Sequence, residues 1–152
     1  TLSSAGTVTG TQTFKRVYRG FISTSTTNET EINVTRGGTE VLRILADAGQ
    51  TLMAVYTVPA GYTGYLYQGN ATAQGSAFGT GFMYLRYNST GNAFRVGHTF
   101  EVTGTGGQYT YKFSFPQELP EKTDIDVRMT TGTSNNGRFT AAFDILLIKN
   151  EL

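Results

Sequence analysis

Residues 94–115 read FRVGHTFEVTGTGGQYTYKFSF, and this stretch decides the fold class. Large side chains alternate with small or polar ones from Phe94 to Val102, and the alternation resumes from Tyr109 to Phe115. Successive side chains of a β-strand point to opposite faces, so a period of two predicts two strands that each bury one face. The glycine-rich residues 103–107 predict a turn between them, and the whole stretch therefore predicts a β-hairpin.

Strand-like patterns and turn signals also occur in the rest of the chain. Residues 125–129 and 139–147 alternate in the same way, whereas residues 52–58 and 82–87 are apolar on both faces and predict strands covered on both sides. Residues 40–50 contain helix formers beside Val and Ile, and a strand is the favoured interpretation. Turn signals recur about every 8–12 residues, as in sandwiches and jelly rolls. The sequence thus predicts an all-β fold, an antiparallel two-sheet β-sandwich of jelly-roll type.

The length of 152 residues suits one domain, which at this size buries roughly 68–70% of its unfolded surface. We expect residues 13–152 to form a single β-sandwich domain. Residues 1–12 are small and polar, with Leu2 and Val8 as the only large apolar side chains. They predict an extended N-terminal arm, which is either a frayed terminus or a strand that adds to a neighbouring subunit.

Composition argues against several classes of partner. The formal net charge is +1, whereas nucleic-acid binders usually carry a basic excess, so no nucleic-acid partner is predicted. The chain has no apolar run of 18 or more residues, and no membrane partner is predicted. Charged residues make up only 15%, against about 25% in typical domains. A surface built from Thr, Ser, Asn, Gln and Gly is common in β-rich proteins that pack against copies of themselves.

Catalytic and metal chemistry find little support in the sequence. The chain has one histidine and no cysteine, which excludes disulfides and thiolate metal sites. His98 lies on the apolar face of its predicted strand, where a hydrogen-bonded core histidine is the favoured interpretation. No nucleophile-elbow motif accompanies it, and no glycine-rich segment has the pattern of a phosphate loop. We therefore predict no catalytic residue, no cofactor and no enzyme activity.

Acidic residues cluster in the segment 118–126. Hard cations need several converging oxygens, and Asp124 and Asp126 share one predicted strand face. Lys122 and Arg128 lie close enough in sequence to neutralise them. The favoured interpretation is a solvated loop and strand face, and no metal site is predicted. The cluster consists of Glu118, Glu121, Asp124 and Asp126.

The aromatic content points to protein contacts. Nine Tyr and ten Phe exceed the needs of a small core, so some of them are expected at a surface or an interface. Several arginines lie in strand segments beside these aromatic residues, and arginine–aromatic stacking is frequent at interfaces. We expect Tyr18, Arg19 and Tyr56, together with the N-terminal arm, to make subunit contacts.

Several segments resemble a group of small β-rich virion proteins of tailed bacteriophages, many of them marine. The resemblance lies in residues 14–20 (FKRVYRG), 48–65 (AGQTLMAVYTVPAGYTGY), 94–102 (FRVGHTFEV), 119–125 (LPEKTDI) and 143–148 (FDILLI), and it spans about residues 13 to 149. It implies a structural part of the particle, such as a decoration or cement protein on the surface of the head. It supplies no catalytic residues.

Two functions are therefore expected from the sequence. The first is a structural component of a virus particle, a capsid decoration, cement or minor head protein that stabilises the shell through oligomeric contacts with itself and with other virion proteins. The second is a receptor- or glycan-binding module of a phage fibre or spike. Exposed Tyr and the polar loops at residues 88–92 and 131–137 favour the second function.

Overall fold

The computed structural model describes residues 6–14, 16–23, 27–75, 78–88, 93–104, 106–131 and 138–151, and within them the chain forms strands joined by turns and extended segments. The strands are β1 (Ile32–Arg36), β2 (Thr39–Ile44), β3 (Val55–Thr57), β4 (Tyr62–Gln74), β5 (Phe78–Arg86), β6 (Arg95–Thr103), β7 (Gln108–Leu119), β8 (Asp124–Thr131) and β9 (Arg138–Lys149). Residues 40–50 thus begin in strand β2, the interpretation favoured by the sequence.

Seven of these strands form two antiparallel sheets. The four-stranded sheet has the order β3-β8-β5-β6, and the three-stranded sheet has the order β7-β4-β9. Strands β1 and β2 form a separate antiparallel hairpin. The predicted all-β sandwich is confirmed, whereas the finer jelly-roll arrangement stays a prediction.

The core lies between the two sheets. Its larger cluster joins Met83, Leu85 and Ile125 of the four-stranded sheet to Leu66 and Leu119 of the three-stranded sheet. A smaller cluster lies farther along β4 and β6 and consists of Ala71, Ala73, Phe100 and Val102. Burial of these side chains supplies the main driving force for folding, at about 25 cal/mol per Å² of apolar surface removed from water.

The predicted hairpin of residues 94–115 is wrong. Strand β6 pairs with β5 in one sheet, and β7 pairs with β4 in the other. The glycine-rich segment between them therefore crosses from one sheet to the other, with Gly104 and Gly106 at positive φ angles of 70° and 79°. Its end is fixed by a 2.9 Å hydrogen bond that the amide of Ala73 donates to the carbonyl of Gly107. Alternation identifies the buried face of a strand but carries no information about its neighbour.

A bulge in β6 interrupts the alternation that predicted one apolar face from Phe94 to Val102. Met83 of β5 pairs with His98, but Tyr84 pairs with Val96, which leaves Gly97 as an extra residue. A Cβ atom on Gly97 would lie 2.9 Å from Cδ1 of Leu85, so Gly97 faces the core. An extra residue in a strand makes the side chains before it face opposite to where an unbroken alternation would place them. Consequently Phe94 and Val96 are exposed, contrary to the prediction, while Phe100 and Val102 are buried as predicted.

The chain before β1 pairs with the segment that leads into β3, through an antiparallel bridge between Phe21 and Gln50. The amide of Ile22 donates to the carbonyl of Gly49 at 2.8 Å, and the amide of Thr51 donates to the carbonyl of Gly20 at 2.9 Å. A Cβ on Gly20 would lie only 3.0 Å from Leu42 of β2. Glycine at position 20 therefore allows the β1–β2 hairpin to approach this segment closely.

Candidate interaction surface

The residues predicted to make contacts lie together beside strand β3. The rings of Tyr18 and Tyr56 meet edge to face, with their centroids 5.4 Å apart. Burial, and secondarily the neighbouring Tyr18, raise the pKa of the Tyr56 hydroxyl above its ordinary value. Arg19 donates to the side chain of Gln50 at 3.2 Å and lies 5.6 Å from the ring centroid of Phe21. The structure thus places Tyr18, Arg19 and Tyr56 on one surface.

That surface lines an open groove of about 930 Å³, which we call the edge groove. Its walls come from Phe14 and residues between 16 and 21 of the N-terminal segment, from Val34 of β1, from residues between 50 and 56 at β3, and from residues between 141 and 145 of β9. Large apolar side chains in it are open to solvent, among them Phe14 and Phe21, which are 69% and 64% exposed. The two sheets therefore leave an accessible apolar opening on the side where β3 and β9 form their edges.

A buried carboxylate holds the N-terminal segment in place beside the groove. Oδ1 of Asp124 accepts hydrogen bonds of 2.6 Å from Nε of Arg16 and 2.6 Å from Thr57, and Oδ2 accepts one of 2.8 Å from Nε of Arg86. Burial opposes ionisation of Asp124, but these three donors outweigh it, so the pKa of the carboxyl lies below its ordinary value. Asp124 is 4% exposed, which makes the prediction of a solvated position wrong.

Two further acidic residues of the cluster, Asp126 and Glu121, are paired separately. Asp126 accepts a 2.6 Å hydrogen bond from Arg128, and Glu121 accepts bonds from Lys122 at 2.7 Å and from the amide of Gly61 at 2.6 Å. These are the two cations that the sequence placed near the carboxylates. Among the residues that the structure describes, no three His, Cys, Asp or Glu side chains converge as a metal site would require.

A second surface, the arginine–aromatic face, covers the outer side of the four-stranded sheet. The guanidinium of Arg86 lies 4.3 Å from the ring centroid of Phe94. The guanidinium of Arg128 lies 5.2 Å from the ring of Tyr84 and 5.6 Å from that of Phe94. The alternation predicts Phe94 on the core side, so the sequence does not reveal this face. The glycine at position 97 was the available signal, because glycine within a strand pattern often marks a bulge.

The three-stranded sheet exposes apolar side chains of its own. In β7, residues 113–116 stand opposite Tyr67 alone, so the strand bulges outward and Phe115 is 87% exposed. On β9, Leu146 and Ile148 are also about half exposed and, two positions apart, share one face of the strand. We call Tyr67, Phe115, Leu146 and Ile148 the outer-sheet residues.

His98 is engaged inside an aromatic cluster. Its Nε2 lies 2.5 Å from the hydroxyl of Tyr109, and its ring centroid is 4.4 Å from that of Tyr111. Burial, with a smaller contribution from Tyr111, raises the pKa of the Tyr109 hydroxyl. The hydrogen-bonded histidine expected from the sequence is therefore found, at the rim of the space between β6 and β7.

Comparison with protein-family models, with curated proteins and with solved structures returns no match. Within the described ranges, no helix is long and apolar enough to cross a membrane.

Proposed function

We propose that this chain is a structural component of a virus particle, a capsid decoration or cement protein or a minor head protein of a tailed bacteriophage. One observation carries the proposal: large apolar side chains are exposed in the edge groove and among the outer-sheet residues. Soluble monomers rarely expose contiguous apolar patches larger than a few hundred Å². Such surfaces are typical of proteins that function while bound to other proteins.

The composition of the edge groove suits protein contact. Tyr, Phe and Arg are enriched at the centres of protein interfaces, and Tyr18, Arg19 and Tyr56 supply these residue types. Both tyrosines are already packed against each other, so little side-chain freedom remains to be lost on binding. We propose these three residues as contacts with neighbouring subunits.

Stabilisation of a shell follows from repetition of weak contacts. Each apolar contact contributes about 25 cal/mol per Å² buried, from which the cost of association is subtracted. A symmetric particle presents many identical sites, and linked copies bind with an avidity far above that of one contact. A small module with a low charged fraction, 15%, suits close packing of this kind.

The direct test is to locate the protein by electron cryomicroscopy in particles of the phage that encodes it. Density for the sandwich on the outer surface of the head, with the edge groove or the outer-sheet residues facing the shell, is the expected result. Particles that lack the protein should then lose DNA at a lower temperature than complete particles. Absence of the protein from purified particles would refute the proposal.

A receptor- or glycan-binding module is the alternative function, and the arginine–aromatic face is the observation that favours it. Sugar rings stack on exposed aromatic faces, and arginine donates to hydroxyl and carboxylate groups. The loops at residues 88–92 and 131–137, also expected in this role, lie mostly outside the described residues. Binding of the isolated domain to host cells or to a glycan array, abolished by Phe94→Ala, would support this alternative.

A further inference from the structure

Three of the sheet edges in the described part of the chain carry features that discourage pairing with another strand. Strand β3 has only three residues, β6 contains the bulge at Gly97, and β7 contains Pro116 within its outward bulge. Short edges, bulges and proline are the means by which natural proteins keep free edges from recruiting other chains.

The edge at β9 has none of these protections. The strand runs for twelve residues, and its sequence RFTAAFDILLIK contains neither Pro nor Gly. The register between β9 and β4 shifts at one point, where β4 contains an extra residue, Tyr67. Strand β9 itself has no extra residue and stays regular. Among the strands that the structure describes, β9 pairs with β4 alone, and half of its backbone groups therefore point away from the sheet. A long regular edge of this kind is a template for another strand.

The N-terminal arm has the properties of such a strand. Residues 6–14 read GTVTGTQTF, all of them are exposed, and none carries an ionisable side chain. The structure gives these residues no hydrogen bond or ion pair with the described part of their own chain. Thr7, Thr9, Thr11 and Thr13 would share one face of an extended strand. β-Branched residues of this type favour strands.

Length and position also agree. Nine extended residues span about 30 Å, which fits along the roughly 40 Å of a twelve-residue strand. The arm leaves the sandwich at Phe14, which itself lines the edge groove, and Phe143 and Ile145 of β9 line the same groove. The opposite face of the arm includes Val8, an apolar side chain that could enter this groove when the backbone pairs with β9.

We propose that the edge of β9 binds residues 6–14 of a second copy of this chain as an added strand. The proposal deepens the proposed function, on which it rests, by naming the partner and the site of one oligomeric contact. Backbone hydrogen bonds along β9 supply the contact, and the edge groove receives the apolar side chains of the arm. Because the arm leaves from beside the groove, two copies can exchange arms reciprocally.

Disulfide trapping tests the contact directly, because the natural chain has no cysteine. A Thr9→Cys protein is mixed with a tagged Ala142→Cys protein under mild oxidation, since residues 9 and 142 are both exposed. The expected product is a mixed disulfide dimer that forms at least about tenfold faster than with Thr110→Cys as partner. Thr110 is exposed on β7, the opposite edge of the same sheet, and provides the matched control.

Removal of residues 1–14 provides the second measurement. Light scattering from about 1 µM to about 1 mM protein should show the full chain associating and the shortened chain remaining monomeric. The proposal would be overturned if the full chain and the shortened chain showed the same degree of association. Equal trapping rates with Ala142→Cys and Thr110→Cys would also overturn it. If the Ala142→Cys protein rapidly formed disulfide dimers with itself, and these dimers still formed without the arm, the proposal would be overturned in favour of direct pairing between two β9 edges.

These results are separable from the fate of the proposed function. A protein found on the head of the particle whose arm does not trap to β9 retains its function and loses only this contact. A protein that exchanges arms in solution but is missing from particles keeps the contact and loses the function.

Discussion

Nε of Arg16 lies 2.6 Å from Oδ1 of Asp124, although the two residues are 108 positions apart in the chain. The same carboxylate holds Arg86 and Thr57, so one side chain joins the N-terminal segment to β3, β5 and β8. This buried acidic group therefore helps to hold the N-terminal wall of the edge groove, in addition to the backbone hydrogen bonds of Gly20 and Ile22.

We expect Asp124→Ala to lower the free energy of unfolding by about 3 kcal/mol, because the substitution leaves two guanidinium groups without their carboxylate. Denaturant titration measures this change, and trypsin should cleave after Arg16 or Arg19 faster than in the natural protein. Asp126→Ala is the control: its partner Arg128 is 59% exposed, and pairs of that kind contribute less than about 1 kcal/mol. Equal losses for the two variants would contradict a special role for Asp124.

Acid should weaken the fold through the same residue. The pKa of Asp124 is lower in the folded chain than in the unfolded chain, so its contribution is complete above the unfolded pKa of about 3.9. That contribution is lost as the pH falls through the folded pKa, because the unfolded state then binds the proton more readily. Denaturant midpoints measured from pH 6 to pH 2 should fall less steeply below pH 4 for Asp124→Asn than for the natural protein. Parallel curves would show that other acids account for the slope.

Two strand glycines should respond oppositely to alanine. A Cβ on Gly81 would lie 2.2 Å from the ring of Phe100, so Gly81→Ala should cost about 3 kcal/mol by forcing that ring out of the core. A Cβ on Gly69 would meet its nearest neighbour at 3.7 Å, and Gly69→Ala should be neutral or stabilise by up to about 1 kcal/mol. Thermal unfolding of the two variants measures the difference, and similar melting temperatures would argue against the packing of Phe100 on Gly81.

A pair of threonines offers a matched test of buried hydroxyl groups. Oγ1 of Thr123 is fully buried and has no hydrogen-bond partner in the described structure, so Thr123→Val should raise the free energy of unfolding by about 1 kcal/mol. Oγ1 of Thr51 accepts a 3.2 Å hydrogen bond from the amide of Gly20, so Thr51→Val should lower it by about 1 kcal/mol. Chemical denaturation of both variants shows whether each substitution raises or lowers the free energy of unfolding. A loss of stability in Thr123→Val would contradict a hydroxyl group of Thr123 without a hydrogen-bond partner.

Strand positions and buried faces were largely readable from the sequence, because the period of two depends only on local backbone geometry. Ile125 is fully buried and Phe100 and Val102 are buried, as the alternation required. Phe94 and Val96 are exceptions, since a bulge at Gly97 reverses their direction without altering the surrounding pattern. Phe115 is another, because the irregularity at residues 113–116 leaves it 87% exposed.

The sequence does not predict which strands pair or which distant residues come into contact. The turn at residues 103–107 has the composition of a hairpin turn, yet β6 and β7 belong to different sheets. Asp124 became buried only because β3 and β5 flank β8 and Arg16 approaches from the N-terminal segment. The sequence predicts subunit contacts for Tyr18 and Tyr56, but their contact with each other depends on a fold that brings position 18 back to β3.

The central place of β4 affects how the chain reaches its native state. Residues 62–74 pair on one side with β7 and on the other with β9, whose last residue is Lys149. During translation, the three-stranded sheet therefore cannot be completed until position 149 has left the ribosome exit tunnel. Until then the backbone edge of β4 that pairs with β9 stays open, and Leu66 and Ala71 lack the side chains of β9 that pack beside them. Slow, late closure exposes such a chain to aggregation and makes chaperone assistance useful before assembly.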